Sequence, residues 1–101
     1  MASPFAHVLH QAMIAKLARG PALARGRAYA AERRVMSMAR KETQIVAVVR
    51  GTSFYAVSLW VGDDGLGYVC SCPCGAEGDF CKHCVAVAVT WVEAHPPNPP
   101  K

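Results

Sequence analysis

All five cysteines of this chain lie within fifteen residues, between Cys70 and Cys84, and one histidine, His83, lies among them. An odd number of cysteines, some separated by a single residue, suits metal ligation better than a disulfide framework, because cysteines this close in an extended chain do not easily pair. The cluster therefore predicts a metal site. It also predicts an intracellular, reducing compartment, which we take to be the cytoplasm.

The spacing within the cluster predicts which residues bind the metal. Cys70 and Cys72 follow a strand-like segment, and side chains two residues apart in an extended chain project to the same side. Cys81 and His83 are also two apart, which inside a helix would separate their side chains by about 200°. They converge if Cys81 precedes a helix that starts near Lys82. Three thiolates and one imidazole would then form a closed tetrahedral site for one structural zinc ion.

Cys74 and Cys84 leave this assignment open. Cys72 and Cys74 repeat the same spacing, and Cys81 and Cys84 lie three apart on one helical face, so a site of four cysteines is a geometric alternative. The simpler interpretation makes Cys84 a small buried apolar side chain and Cys74 a spare thiol in a loop.

Hydrophobic periodicity predicts a small α+β domain. Apolar residues at helical spacing predict a first helix over 4–19, and the alanine-rich segment 21–32 favours a second helix that is short or broken at Gly26. Period-two patterns predict an antiparallel meander, with strands over 35–38, 44–50, 54–61 and 66–71. A last helix follows the cysteines, with Trp91 beside one apolar stripe formed by Val85, Ala88, Val89 and Val92.

The third strand carries apolar side chains on both of its faces. Tyr55 and Leu59 share one face, whereas Phe54 and Trp60 lie on the other. We therefore expect both faces to be partly covered, and the aromatic residues to belong to the core rather than to a platform on which bases stack.

Three segments follow from this pattern. We expect a basic helical segment over 1–34, the meander and the metal site over 35–94, and an extended proline-rich tail over 95–101.

Charge is divided unevenly along the chain. Residues 1–50 carry nine Lys or Arg and two acids, a net +7, whereas residues 51–101 carry two and five, a net −3. A surface for a polyanion should therefore lie in the first half, with Arg25, Arg27, Arg33 and Arg34 as the predicted nucleic-acid contacts. Lys82 should matter less, because it lies between two predicted zinc ligands, and three thiolates around one divalent cation would leave that site with a net charge of −1.

Composition and motifs exclude several function classes. With 52% hydrophobic and 18% charged residues the chain is too apolar to be disordered. No apolar stretch has the length of a membrane span, and none follows Met1 as a signal peptide would, so we expect no membrane partner. Cys81 and Cys84 have a redox spacing, but they follow a meander instead of the early strand of a βαβ unit. We therefore expect no enzymatic activity and no small-molecule substrate.

The metal-binding segment resembles a known family. Cys70-Ser71-Cys72-Pro73, eight further residues and then Phe80-Cys81-Lys82-His83-Cys84-Val85-Ala86 are similar to the SWIM zinc finger, whose pattern is C-x-C, a variable spacer and C-x-H. The similarity extends upstream through Arg25-Gly26-Arg27-Ala28-Tyr29, Val35, 46–51 and 55–59. The resemblance implies Cys70, Cys72, Cys81 and His83 as zinc ligands. It also implies contacts with DNA or protein, often beside Swi/Snf-type helicases or in transposases, and no activity of the finger itself.

Two functions remain open on the sequence. The first is a DNA-binding module whose basic first half contacts phosphates. The second is a protein-interaction module or accessory subunit, in which zinc only stabilises a fold that binds a partner such as a helicase. The steep loss of affinity with salt that phosphate contacts cause would separate them.

Overall fold

The computed structural model describes residues 5, 9–18, 20–62, 65–73 and 78–95. In these residues the elements follow in the order α1 (Gln11–Leu17), α2 (Pro21–Ala31), β1 (Val35–Lys41), β2 (Gln44–Arg50), β3 (Phe54–Gly62), β4 (Gly65–Cys70) and α3 (Lys82–Ala94). The predicted α+β class is confirmed. None of the described helices is long and apolar enough to cross a membrane. The predicted proline-rich tail lies outside the described residues, apart from His95.

The four strands form an antiparallel sheet in the order β1-β2-β3-β4, as the meander prediction requires. β1 is longer than predicted and ends at Lys41, which pairs with Gln44 across a two-residue turn. Glu42 in this turn has a φ of 54°. Ala39 and Arg40 have little strand preference, but hydrogen bonds to β2 hold them in the ladder, because pairing overrides weak local propensity.

The last helix, α3, is buried on nearly all sides, so the prediction of a single apolar stripe was too narrow. All residues from His83 to Val92 except Thr90 are buried. One side of α3 packs on the sheet, and the other is covered by α2 and by α1. The layers are therefore the sheet, α3 and the α1–α2 pair. Valine has low helix propensity, so packing must stabilise this helix.

The first helix is shorter than predicted. His10 has an extended backbone, with φ −151° and ψ 170°, and its Nδ1 accepts a hydrogen bond of 3.2 Å from the N–H of Met13. A helix cannot pass through a residue in this conformation, so α1 starts at Gln11. The predicted start at Pro4 lies outside the described residues. Phe5 is buried, and its ring lies 5.6 Å from that of Trp91.

The second helix is continuous, and Gly26 is where it crosses α3. A Cβ atom at Gly26 would overlap the side chain of Val85 and lie 2.8 Å from the carbonyl oxygen of Lys82. Glycine here allows close approach of two helix backbones and does not break α2. The predicted break was wrong because α3 supplies the packing that offsets the low helix propensity of glycine.

Replacing Gly26 by alanine should destabilise the protein even though alanine is the better helix former. We expect Gly26→Ala to lose about 2 kcal/mol of unfolding free energy, because overpacking a crossing outweighs a propensity gain of about 1 kcal/mol. Thermal unfolding followed by circular dichroism measures this. The exposed Ala24→Gly serves as the control and should lose only about 1 kcal/mol. A higher melting temperature for Gly26→Ala would contradict the crossing.

Candidate metal centre

Two elements that are distant in sequence bring four predicted ligands together. Cys70 is the last residue of β4 and Cys72 follows it, whereas Cys81 precedes α3 and His83 lies in its first turn. Their ligand atoms all lie within 4.8 Å of one another, and all four residues are buried. The predicted helix start near Lys82 is confirmed, since Cys81 is the N-cap with an extended backbone.

The spacing of the ligand atoms fits a tetrahedral zinc site. The Sγ atoms of Cys72 and Cys81 are 3.5 Å apart. The Nδ1 of His83 lies 3.7 Å from the Sγ of Cys70 and 3.7 Å from that of Cys81. Ordinary Zn–S and Zn–N bond lengths give tetrahedral edges of about 3.8 Å between sulfurs and about 3.5 Å between sulfur and nitrogen. The cluster therefore fits one zinc ion held by three thiolates and the Nδ1 of one imidazole.

Ser71 fixes the orientation of the first two ligands. Its backbone N–H donates a hydrogen bond of 3.0 Å to the carbonyl oxygen of Ala56, and its Oγ accepts one of 2.9 Å from the N–H of Ala56. This side chain lies on the opposite side of the chain from its two neighbours, as the alternation of an extended segment requires. Cys70 and Cys72 consequently both face inward.

Aromatic rings hold the imidazole of His83 in place. The ring of Tyr55 stacks on it at 4.3 Å, and that of Tyr29 packs against it at 5.7 Å with a tilt. The Nε2 atom is buried without a hydrogen-bond partner among the described residues. A Cβ at Gly51 would come within 3.3 Å of that atom. These supporting residues lie inside the segments that resemble the SWIM family, but nothing in the ligand spacing itself identifies them.

Hydrogen bonds among the thiols favour one thiolate, at Cys81. The hydrogen bond with Cys70 lowers the pKa of Cys81 and raises the pKa of Cys70 to about 12. Hydrogen bonds with Cys70 and then with Cys81 raise the pKa of Cys84. A divalent cation stabilises further thiolates, so its binding must drive the proton from Cys70.

Of the two cysteines outside the predicted ligand set, the structure describes Cys84. Cys84 is fully buried on α3, and its Sγ lies 3.9 Å from that of Cys81. It is not among the four residues whose ligand atoms form the cluster in the described part of the chain. This matches the interpretation of Cys84 as a small buried side chain. Cys74 lies outside the described residues.

A cavity of about 730 Å³ lies beside the metal centre. Three cations line it, Lys16, Arg25 and Lys82, together with the carboxylate-bearing Asp79. Cys72, Cys81 and His83 form part of its wall. These cations therefore lie close to the thiolates, which reduce their attraction for any other anion.

The structure does not gather the four predicted nucleic-acid contacts. Arg25 lines the cavity beside the metal centre, whereas Arg27 borders a smaller cavity of about 270 Å³ with Glu93. Arg33 and Arg34 lie beyond the end of α2, before β1. Helical spacing explains why Arg25 and Arg27 line different cavities, because residues two apart on a helix point in divergent directions.

Comparison with known proteins identifies the finger. Residues 55–91 match the SWIM zinc finger family, and the four clustered ligands all lie within this segment. The chain therefore contains a SWIM zinc finger with a cluster that fits one zinc ion. The comparisons found no significant match among curated proteins or solved structures.

Replacing the ligands should separate them from the spare thiols. We expect Cys70→Ser, Cys72→Ser, Cys81→Ser and His83→Ala each to lose zinc or to fold poorly, because each removes one of four ligands from a closed site. Cys84→Ala and Cys74→Ser should retain one zinc ion per chain. Mass spectrometry under native and denaturing conditions measures the stoichiometry. Loss of zinc from Cys74→Ser with retention in Cys70→Ser would contradict the assignment.

Zinc binding should release protons at neutral pH, because the pKa of Cys70 is raised to about 12. The apparent zinc affinity should therefore rise with pH between about 6 and about 8. Calorimetric titration in two buffers of different ionisation enthalpy measures the number of protons released. Cys84→Ala should release the same number, since Cys84 keeps its proton. A smaller number for this variant would show that Cys84 is a ligand.

Proposed function

We propose that this chain is a non-catalytic nucleic-acid-binding module of the cytoplasm, in which zinc is structural and DNA phosphates contact cations of the first half of the chain. The observation that carries the proposal is the convergence of three arginines at one end of the sheet. We call Arg33, Arg34 and Arg50 the arginine corner. Phosphate contacts by arginine supply affinity that does not depend on base sequence.

Two hydrogen bonds, one between backbones and one from a side chain, join Arg34 to Arg50 in the arginine corner. The N–H of Arg50 donates to the carbonyl oxygen of Arg34 at 2.8 Å, and Nη1 of Arg34 donates to the carbonyl oxygen of Arg50 at 3.3 Å. Glu32 pairs with Arg34 at 2.7 Å, and this is the one ion pair found in the described part of the chain. Arg33 and Arg50, both exposed, thus remain available for phosphate.

The backbone of Arg33 supports a role beyond folding. The residue has a φ of 58°, and the N–H of Arg34 donates to the carbonyl oxygen of Tyr29, five residues before it. This is the helix-ending motif in which glycine ordinarily takes the left-handed position. An arginine there costs about 1 kcal/mol of folding free energy relative to glycine, which supports a role for its charge in binding.

The cavity beside the metal centre is the weaker candidate for contact with phosphate. Three thiolates and one divalent cation leave a net charge of about −1, and Asp79 lies nearby. Against the three cations that line the cavity, these charges leave a net of about +1, whereas three arginines and Glu32 leave the arginine corner with about +2. The arginine corner adjoins the metal centre, because a Cβ at Gly51, the residue after Arg50, would come within 3.3 Å of the Nε2 of His83.

A protein-interaction module is the second candidate, and exposed apolar side chains favour it. Met36 is 52% exposed, Phe54 68% and Val69 49%. In this alternative the chain is an accessory subunit that binds a partner protein, such as a helicase or a transposase, and the arginine corner contributes only solubility.

A pair of matched double variants tests the proposal. Arg33→Gly with Arg50→Gln should weaken DNA binding roughly tenfold at low salt and reduce the slope of log affinity against log salt by about 1.5. Glycine relieves the left-handed backbone at position 33, so misfolding would not explain the loss. Fluorescence anisotropy with labelled DNA over a salt series measures both quantities.

The control removes the same charge elsewhere. Lys16→Gln with Arg25→Gln takes two cations from the cavity beside the metal centre and should change affinity about threefold at most. A larger effect of this control than of the corner variant would place the contact in that cavity. No DNA binding by the unmodified protein at low salt would favour the protein-interaction alternative.

A further inference from the structure

We infer that the open face of the sheet binds a single-stranded nucleic acid, with bases stacking on Phe54 and Trp60. This inference rests on the proposed function and specifies the form of nucleic acid. The outer face is the side of the sheet opposite α3, and it carries Val46, Val48, Phe54, Ala56, Trp60 and Val69. No described element packs on it.

The register places the two aromatic residues at opposite ends of the outer face. Phe54 pairs with Arg50 at one end, and Trp60 pairs with Gln44 at the other, which in turn pairs with Lys41. They are six residues apart on β3, or about 20 Å. Phe54 therefore has Arg50 beside it on the neighbouring strand, and Trp60 has Lys41 in line with it two strands away. The expectation that the aromatic residues of β3 belong to the core is wrong for Phe54, which is 68% exposed, and for Trp60, which is 37% exposed. It is confirmed for Tyr55, which packs against the core.

The indole of Trp60 lies against the sheet at Gly67, where the missing side chain leaves room for it. A Cβ at Gly67 would overlap the atoms of the indole ring, so the ring crosses β4 where that strand has no side chain. An aromatic ring fixed in this way loses little conformational freedom when a base stacks on it. Its remaining exposed surface is available to a flat apolar ligand.

The charge of the outer face favours a polyanion as its ligand. Arg50 and Lys41 lie at outward-facing register positions, and no acidic residue does so in the described strands. A second copy of this chain would bring like charges together, which disfavours a symmetric dimer through this face. Asp63 and Asp64 connect β3 to β4 beyond Trp60 and lie outside the described residues, so we assign the phosphate contacts to the Arg50 end.

A single strand fits this surface better than a duplex does. Bases in a duplex stack on one another, so they cannot stack on protein side chains without being unpaired. A single strand exposes its bases, and every base has a face that can stack on an aromatic ring. The arginine corner adjoins Phe54 through Arg50, so one strand can contact both surfaces.

Substitutions at Trp60 test the inference on the whole zinc-loaded chain. With oligodeoxythymidine of about 15 nucleotides as the probe, Trp60→Leu should weaken binding about tenfold, whereas Trp60→Phe should retain most of it. Gly67→Ala should weaken binding by displacing the indole. Binding should quench tryptophan fluorescence, and this quenching should disappear in Trp60→Leu. Unchanged thermal unfolding in Trp60→Phe keeps the comparison free of folding effects.

Met36→Ala is the matched control, because Met36 is a 52% exposed apolar residue of β1, which carries neither aromatic ring. Its affinity for the oligonucleotide should stay within about twofold. Equal binding of duplex and single strand, with no effect of Trp60→Leu or Phe54→Ala, would overturn the inference and leave the proposed function standing. No binding of either form would overturn both.

Discussion

The junction between the end of β4 and the start of α3 determines the rest of this structure. Cys70 and Cys72 come from one side of it, Cys81 and His83 from the other, and the zinc ion that fits among them would join the two. The helix that starts there is the middle layer of the domain. Its valine-rich sequence has low helix propensity, so it depends on the ligands at its first turn and on the layers that cover it.

Most of the metal centre follows from the sequence because ligand spacing is a local property. The side chains of Cys70 and Cys72 at the end of a strand, and of Cys81 and His83 at the start of a helix, point in directions that the backbone geometry fixes. The spacing of Cys81 and His83 thus places the start of α3 correctly. The residues that support the imidazole come from α2, β3 and the β2–β3 connection, and no local pattern indicates that Tyr29 and Gly51 meet at His83.

The errors in the sequence predictions also come from contacts between residues that are distant in sequence. Gly26 suggests a broken helix until Val85, far along the chain, is seen to occupy the space that a Cβ would need. Phe54 and Trp60 suggest a sheet covered on both sides, because alternation of apolar residues does not reveal whether a second layer exists. Four arginines close in sequence suggest one patch, yet Arg25 and Arg27 diverge around α2, and the corner acquires Arg50 from a neighbouring strand.

The two sides of the domain therefore differ in chemistry. The helical side contains the metal centre, with its thiolates and the cavity beside it, whereas the sheet side presents cations and exposed aromatic rings. In our account zinc acts on binding only through the fold, because it holds α3 against the sheet whose other face contacts the ligand.

Amide hydrogen exchange with and without zinc tests this account most directly. If the metal holds the start of α3, removing it should abolish protection along Lys82–Ala94. The β1–β2 ladder should exchange more slowly than α3 in the zinc-free protein, because it does not include a ligand. Unchanged protection of α3 after demonstrated removal of zinc would contradict the account, since packing alone would then suffice to hold the central helix.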